Sequence, residues 1–333
     1  MPYSRIQRLS KQAGVAAVAL VAAFGLAQGT AEAPHAFISQ QNATDILFLG
    51  DVMLDRGVAR RAATTTPGLG GGAMVSGMQP LVHSADVVVL NFEGTITTNP
   101  SIAQQDNTIL RFTFTPELAK TILEALEVDV VSLANNHALD FYAAGYESTK
   151  TYLDEWGIGH FGHPLNSQHL STIFEHEGRV LCFVGYHELY DANTASVVAE
   201  IIRLRPECTK IIVFPHWGPE YEPLPSASQV SEAHAFIDAG ADMVIGAHPH
   251  VVQPIEVYNG KPIAYSLGNF IFDQDFSWET RHGLALMVRL RDEGTRITLI
   301  PIAIEGSRPS PALGEERTRI IEAAGGVDTL ELP

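Results

Sequence analysis

From residue 44 onward the chain alternates short, β-branched apolar runs with stretches of helical periodicity. Ile46–Leu49, Val87–Leu90, Val128–Leu133, Val180–Val184, Ile211–Phe214 and Met243–Ile245 are short and largely apolar, the pattern of strands buried on both faces. Helices are predicted between them. Pro116–Leu126 has Thr115 as a cap and Pro116 in its first turn. Gly145–Trp156 follows, and a third helix runs from about Ala227 to Ala239, with Ser226 and Gln229 as a capping box and Gly240 as its stop. This alternation predicts a layered α/β fold. After Val251 the pattern changes. Asn259-Gly260 marks a hairpin, and Ile263–Phe272, Leu284–Leu290 and Arg296–Ile304 predict an antiparallel, sheet-rich half. Ala63–Gly77, rich in Thr and Gly, reads as a mobile loop, and 307–333, with its Pro, Gly and Glu, as a peripheral tail. There is no internal repeat.

The N-terminus stands apart. Arg5, Arg8 and Lys11 precede an apolar run of about 15 residues from Ala13 to Ala27, followed by Ala31-Glu32-Ala33. A bilayer span needs roughly 20 apolar residues, so residues 1–33 read as a cleaved export signal ending at Ala31 or Ala33. An uncleaved signal anchor is the alternative. The expected location is periplasmic or extracellular. Cys182 and Cys208 fall in or beside neighbouring predicted strands; in an oxidising compartment they could pair, and two buried free thiols are the other reading. With 46% apolar and 18% charged residues, the composition is globular. The formal net charge is −17, and residues 1–33 hold three bases against one acid, so the chain without them is more acidic still. Such a surface disfavours nucleic acid and anionic lipid as partners. An anionic substrate needs a local cationic centre.

The polar residues that end the strands suggest one. Ile46–Leu49 runs into Asp51, Val87–Leu90 into Asn91 and Glu93, and Val128–Leu133 into Asn135, Asn136 and His137, with Asp140 one turn on. Ile211–Phe214 runs into His216 and Met243–Ile245 into His248-Pro249-His250. Ligands of open α/β sheets bind beyond the carboxyl ends of the strands. Taken alone, Asp51 serves equally well as a helix cap, and Asn91 with Glu93 as a turn before Gly94. All five ends together are hard to attribute to packing. The two imidazoles held apart by a proline leave one short extended segment, and with carboxylates they suit Zn²⁺, Mn²⁺ or Fe.

Several of these blocks carry a resemblance. Gly50-Asp51-Val52-Met53, Asn91-Phe92-Glu93-Gly94, Ala134-Asn135-Asn136-His137-Ala138-Leu139-Asp140, His216-Trp217-Gly218-Pro219-Glu220-Tyr221, Gly246-Ala247-His248-Pro249-His250-Val251 and Tyr265-Ser266-Leu267-Gly268-Asn269-Phe270-Ile271-Phe272 resemble, in order, the motifs of the CapA/PgsA family of poly-γ-glutamate capsule synthesis proteins. The resemblance covers about residues 45–305. That family is similar to calcineurin-like metallophosphoesterases, which implies a four-layer α/β/β/α sandwich of two mixed sheets over a domain of residues 44–306. It also implies two divalent transition metal ions. Asp51 and Glu93 would be carboxylate ligands, one of them bridging, with Asn136, His216, His248 and His250 completing the set. His137 resembles the catalytic histidine, a general acid that is not a ligand. Asp140 lies near enough to orient its ring, and a carboxylate partner would hold the imidazole charged closer to neutrality. Glu220 and Tyr221 are candidates for substrate contact or loop support, and His187 for the same rim. Arg281 and His282 could reach an anion. The remaining histidines, His35, His83, His160, His163, His169, His176 and His234, read as surface or core residues.

Two departures bear on function. The superfamily's Asp-x-His is absent, since Met53 stands where the histidine belongs, and one metal position loses a ligand or uses another. Asp55 has no acid counterpart in the family and reads as a solvated residue at a helix start. The expected function is therefore either an exported metal-dependent hydrolase acting on a phosphoester or on an anionic γ-glutamyl polymer, or a non-catalytic accessory that grips polymer carboxylates beside a membrane synthase. His137 and Asp140 favour catalysis, because a grip needs no general acid. The missing Asp-x-His favours the accessory.

Overall fold

The computed structural model describes residues 43–64, 70–106, 108–190 and 192–333. The expected export signal lies outside them. Two mixed sheets stack face to face, and the period-two alternation of their strands dictates it. In the strand Thr44–Val52, Ile46 and Phe48 enter one core while Leu47 and Leu49 enter another. The first pair joins Val87 and Val89, and Phe183, Ile212, Phe214 and Ile245 from the second sheet, in the core between the sheets. Leu47 and Leu49 join Val88 and Leu90 against the helices Arg56–Thr64, Pro116–Ala125 and Tyr142–Glu155, through Val58, Ile122 and Leu153. On the far face of the second sheet, Val184, Ile211, Val213 and Val244 pack on Thr194–Leu204 and Ala227–Asp238 through Val197, Ile201, Ala233 and Phe236. A one-residue slip of any central strand would exchange two cores at once, and each large apolar side chain contributes roughly 1.5–3 kcal/mol when buried. The four layers expected from the resemblance are present.

The larger sheet runs in the order 308–311, 295–305, 282–290, 44–52, 87–92, 130–132, 159–161, with 269–271 beside 44–52 and 329–332 beside 295–305. Thr44–Val52, Val87–Phe92, Val130–Ser132 and Gly159–Phe161 are parallel, whereas His282–Leu290 and Thr295–Glu305 run antiparallel. In the smaller sheet Arg179–His187, Lys210–His216, Met243–Ile245 and Lys261–Ala264 are parallel, flanked by the antiparallel Ser171–His176 and Ile255–Tyr258. The carboxyl ends of the parallel strands of both sheets meet at one pocket, as the contacts below show.

Local chemistry explains the boundaries. The Thr115 hydroxyl accepts from Leu118 N, and Ser226 and Gln229 form both halves of their capping box. Asn259 and Gly260 take φ 49 and 74 between the paired Tyr258 and Lys261, the left-handed pair a two-residue hairpin demands. Cys182 and Cys208 are joined as a disulfide.

Three expectations are corrected and one element is added. Ile263–Phe272 is not one strand: Lys261–Ala264 belongs to the smaller sheet and Asn269–Ile271 to the larger, with Gly268 at φ 68 between them. Ala63–Gly77 includes the end of a helix and most of a 3₁₀ segment, Gly70–Met78, that buries Met74, Val75 and Met78. The stretch 307–333 is not peripheral in its packing. Arg308–Pro311 and Thr329–Leu332 pair with Thr295–Glu305, and the helix Gly314–Ala323 sends Ile320 and Ile321 into the core between the sheets. Thr194–Leu204, capped by Asn193, is a helix the sequence reading omitted.

Candidate metal centre

Each candidate side chain is placed by the end of a buried strand. Asp51 and Glu93 have no solvent exposure. Asp51 Oδ1 accepts from Asn91 Nδ2 at 2.7 Å, and its Oδ2 lies 3.2 Å from His250 Nδ1. The Asn91 amide also approaches His216 Nδ1 at 3.2 Å, linking the two sheets. Asn135 donates to Asn91 Oδ1 and to Phe92 O, and its own Oδ1 accepts from His137 N. That clamp turns the next residue inward: Asn136 Oδ1 lies 2.8 Å from His216 Nε2. The His216 and His248 rings are 4.5 Å apart, and those of His248 and His250 5.8 Å.

His248-Pro249-His250 is not extended as expected. His248 has φ 96 and His250 φ 59, left-handed conformations that cost about 1–3 kcal/mol each outside glycine and cluster at functional sites. The strain is held by His248 N donating to Asp51 Oδ2 and Tyr221 N donating to Pro249 O. Gly246 permits the close approach of the strand that precedes this turn to Tyr265, since a Cβ there would lie 2.0 Å from Tyr265 O.

His137 stands beside these groups with its ring otherwise engaged. Its Nδ1 is 2.8 Å from Asp140 Oδ2, its Nε2 is 3.8 Å from Glu93 Oε1, and Phe112 packs on its face at 4.2 Å. Asp140 is fixed in turn, since its Oδ2 accepts from Phe112 N and its carbonyl from Arg111 Nε. His187 donates through Nδ1 to Pro164 O at 2.8 Å, which leaves Nε2 as a bare lone pair, buried without a partner. Its ring centre is 5.9 Å from that of His216. Glu220 is exposed at the mouth, one oxygen within 4.8 Å of nitrogens of His248 and His250. The Tyr221 hydroxyl accepts from Gln274, and the ring lies 6.1 Å from His250.

The donor set fits a cation. Both carboxylate oxygens of Glu93 and Nδ1 of His248 are buried with no hydrogen-bond partner, an arrangement that costs stability until something fills it. Burial holds the Glu93 carboxyl well above its ordinary range. Burial alone would lower His250, but the charge of Glu93, then the hydrogen bond and charge of Asp51, push it up to about 9. The Oε1 of Glu93 lies 3.8 Å from His250 Nε2. A divalent ion bound there would displace the proton from that ring nitrogen. Burial, foremost, lowers His216 far below its usual value, His248 to about 2 and His187 to about 4, so these three imidazoles are neutral, the form that ligates. Oxygen or nitrogen atoms of Asp51, Glu93 and His216 lie within 4.8 Å of one another, as do those of Glu220, His248 and His250.

Two side chains quoted in motifs but given no role belong to this network. Asn91 bridges Asp51 and His216. Asn269 donates from Nδ2 to Gln274 Oε1 and Thr280 O, so its Oδ1 must face His250 Nδ1–H at 3.0 Å. With Asp51 Oδ2 at 3.2 Å from the same nitrogen, that contact keeps a proton on Nδ1 and leaves Nε2 toward Glu93, where a metal could be held. Asp55 is corrected: it is wholly buried, accepting from Ser101, Gln104 and Thr113 N, and ties loops together instead of meeting solvent. Arg281 donates to Ser277 O, and His282 is held by Trp278 O and stacks on the Trp278 ring, so both serve local structure.

The family described as Bacterial capsule synthesis protein PGA_cap matches residues 45–274. The chain is 31% identical over 304 residues to the PGA biosynthesis protein CapA of Bacillus subtilis (strain 168), spanning 85% of this chain and 77% of that protein. It is 28% identical over 317 residues to the capsule biosynthesis protein CapA of Bacillus anthracis, spanning 89% and 75%. A probable polyglutamine synthesis accessory protein of Mycobacterium tuberculosis is 31% identical over 219 residues, 58% of this chain and 57% of that one. Among solved structures, a hypothetical protein from Thermus thermophilus has a TM-score of 0.48 and 18% identity, covering 87% of this chain and 100% of that chain. The matched span runs through every strand end that carries a candidate ligand, and the chain belongs to the bacterial capsule synthesis protein PGA_cap family.

Proposed function

We propose that this chain is an exported, metal-dependent hydrolase of capsule-polymer biosynthesis or processing, acting on an anionic γ-glutamyl polymer or a phosphoester. The observation that carries the reading is the partnerless Glu93 carboxylate, buried among Asp51, Asn136, His216, His248 and His250 with His137 beside it. Two divalent transition ions, Mn, Zn or Fe, would acidify a water and neutralise an oxyanion when bound. Asp51, Glu93 and Asn136 would hold them from the strand ends of the larger sheet, and His216, His248 and His250 from those of the smaller. His137 keeps Nε2 toward the pocket because Asp140 holds Nδ1, so it can deliver a proton to a leaving oxygen or nitrogen. Glu220, Tyr221 and His187 line the approach. Export is supported by the basic and apolar N-terminus and by the Cys182–Cys208 disulfide, which suits an oxidising compartment. Among the described residues no helix is long and apolar enough to cross a membrane.

Metal analysis of purified protein, followed by turnover assays on phosphoesters and poly-γ-glutamate, tests this. Up to two ions per chain and metal-dependent cleavage are expected; a chain that takes up no transition metal removes the proposal. The second reading, an accessory to a membrane synthase, is favoured by Met53, buried where the superfamily's histidine would stand. Two bound ions with affinity for poly-γ-glutamate and no cleavage of any substrate would select it.

A further inference from the structure

An anionic substrate must approach a chain of net charge −17, and the guanidinium of Arg56 stands beside the site. Arg56 opens the helix Arg56–Thr64. Its Cζ lies 4.8 Å from the centre of the Phe112 ring and 5.8 Å from that of Phe272. Both rings pack on imidazoles of the site: Phe112 on His137 at 4.2 Å, Phe272 on His250 at 4.8 Å. Arg56 therefore sits one aromatic ring away from the proton donor on one side and from a candidate ligand on the other. Its charge is also felt by Tyr221, whose ring borders His250.

Its hydrogen bonding is incomplete. Nη2 pairs with Asp273, whose other oxygen accepts from Gly57 N at 2.8 Å. Nε is buried and has no partner, while the side chain keeps 16% of its surface open. A purely structural ion pair accounts for Nη2 and leaves Nε unexplained. A guanidinium offers five donors in a rigid fork, enough to hold Asp273 and a second oxyanion together.

We propose that Arg56 is the anion-recognition residue of this site, receiving a substrate oxyanion beside the metal centre while Asp273 fixes the orientation of its fork. The oxyanion is a phosphoryl group or a γ-glutamyl carboxylate. The inference rests on the proposed metal centre for its location, and the test separates the two.

Binding of inorganic phosphate and of tri-γ-glutamate to the metal-loaded chain is measured by calorimetry, with metal content assayed in parallel. Two variants are compared with wild type. Arg56→Lys keeps the ion pair but loses the fork; Arg56→Gln with Asp273→Asn removes both charges, so that no buried carboxylate is stranded. Both should keep their metal and bind the preferred anion about tenfold more weakly or worse. Preference for phosphate identifies phosphoryl chemistry, and preference for the trimer identifies carboxylate chemistry. Wild type binding neither probe overturns the proposal, as does either variant that keeps its metal and binds both probes within twofold of wild type. Should the double variant fail to fold, Arg56→Lys decides. Should wild type take up no metal, the metal-centre reading fails on its own, and the same comparison on the metal-free chain still decides Arg56.

Discussion

The two sides of the pocket present opposite electrostatic problems. On one, Asp51 and Glu93 are sealed from solvent with His250 raised to about 9, so charge is concentrated where water cannot screen it. On the other, His187, His216 and His248 are forced neutral by burial, and His187 Nε2 and His248 Nδ1 stand buried without a partner. On the proposed reading the acidic side gains most from a cation, and the imidazole side offers ring nitrogens that no hydrogen bond occupies. On the proposed reading Met53, two residues after Asp51 and buried in the core, supplies no ligand, and the position nearest the carboxylates is the weaker. The expectation is two ions of unequal affinity, the tighter among the imidazoles.

The largest expected effect concerns the residue assigned to neither side. His137→Ala should keep both ions yet lose 10²–10⁴-fold in turnover on substrates with poor leaving groups, the usual size of general acid assistance. A substrate whose leaving group needs no proton should be spared. Less bound metal in this variant would make His137 a ligand and erase the division between the sides.

Substitutions on each side should then separate the two ions. His248→Ala is expected to abolish the tighter step of a metal titration, and Asp51→Asn the weaker one, each leaving close to one ion per chain by elemental analysis. Simultaneous loss of both ions in each variant would mean that the pocket binds as one unit, and the comparison would fall.

Much of this pocket is legible in the sequence, and the reason is physical. Strands such as Ile211–Phe214 are apolar on both faces, so a histidine directly after them stands out. The amides are harder to read. Asn269 directs its oxygen at His250 only because Gln274 and Thr280 already occupy its nitrogen, a fact of tertiary structure. Asp55 reads as solvated because the hydroxyl, amide and backbone donors that bury it come from residues 101–113. The buried helix of the last segment is hidden for another reason: Ile320 and Ile321 are diluted by the Pro, Gly and Glu around them.

Asn269 offers a subtler test of the acidic side. Asn269→Ala removes one of the two acceptors, the other being Asp51, that keep the proton of His250 on Nδ1 and Nε2 open. Removing such a supporting residue typically costs 10–100-fold in metal affinity. The weaker ion should suffer and the tighter one should not. An equal loss at both would place Asn269 in the general stability of the fold.

The smallest effect is the dependence of stability on pH in the metal-free chain, and its sign differs between the sides. For His187, His216 and His248 the folded pKa lies below the unfolded value of about 6.5. Their contribution is complete above pH 6.5 and is lost as pH falls toward about 4 for His187 and about 2 for His248. For His250 the folded value is raised, so its contribution is complete below about 6.5 and is lost as pH rises through about 9. Glu93, also raised, acts in the same direction as His250 and opposes the acid loss from the three imidazoles. Melting temperature after chelation should therefore peak near neutrality and decline toward both pH 5 and pH 9. Metal loading should remove the alkaline decline, because a bound ion holds Glu93 ionised and His250 neutral. His187→Gln should flatten part of the acid decline without touching the alkaline one. An alkaline decline that survives metal loading would show that Glu93 and His250 do not face the ion, and the acidic side of the pocket would have to be reassigned.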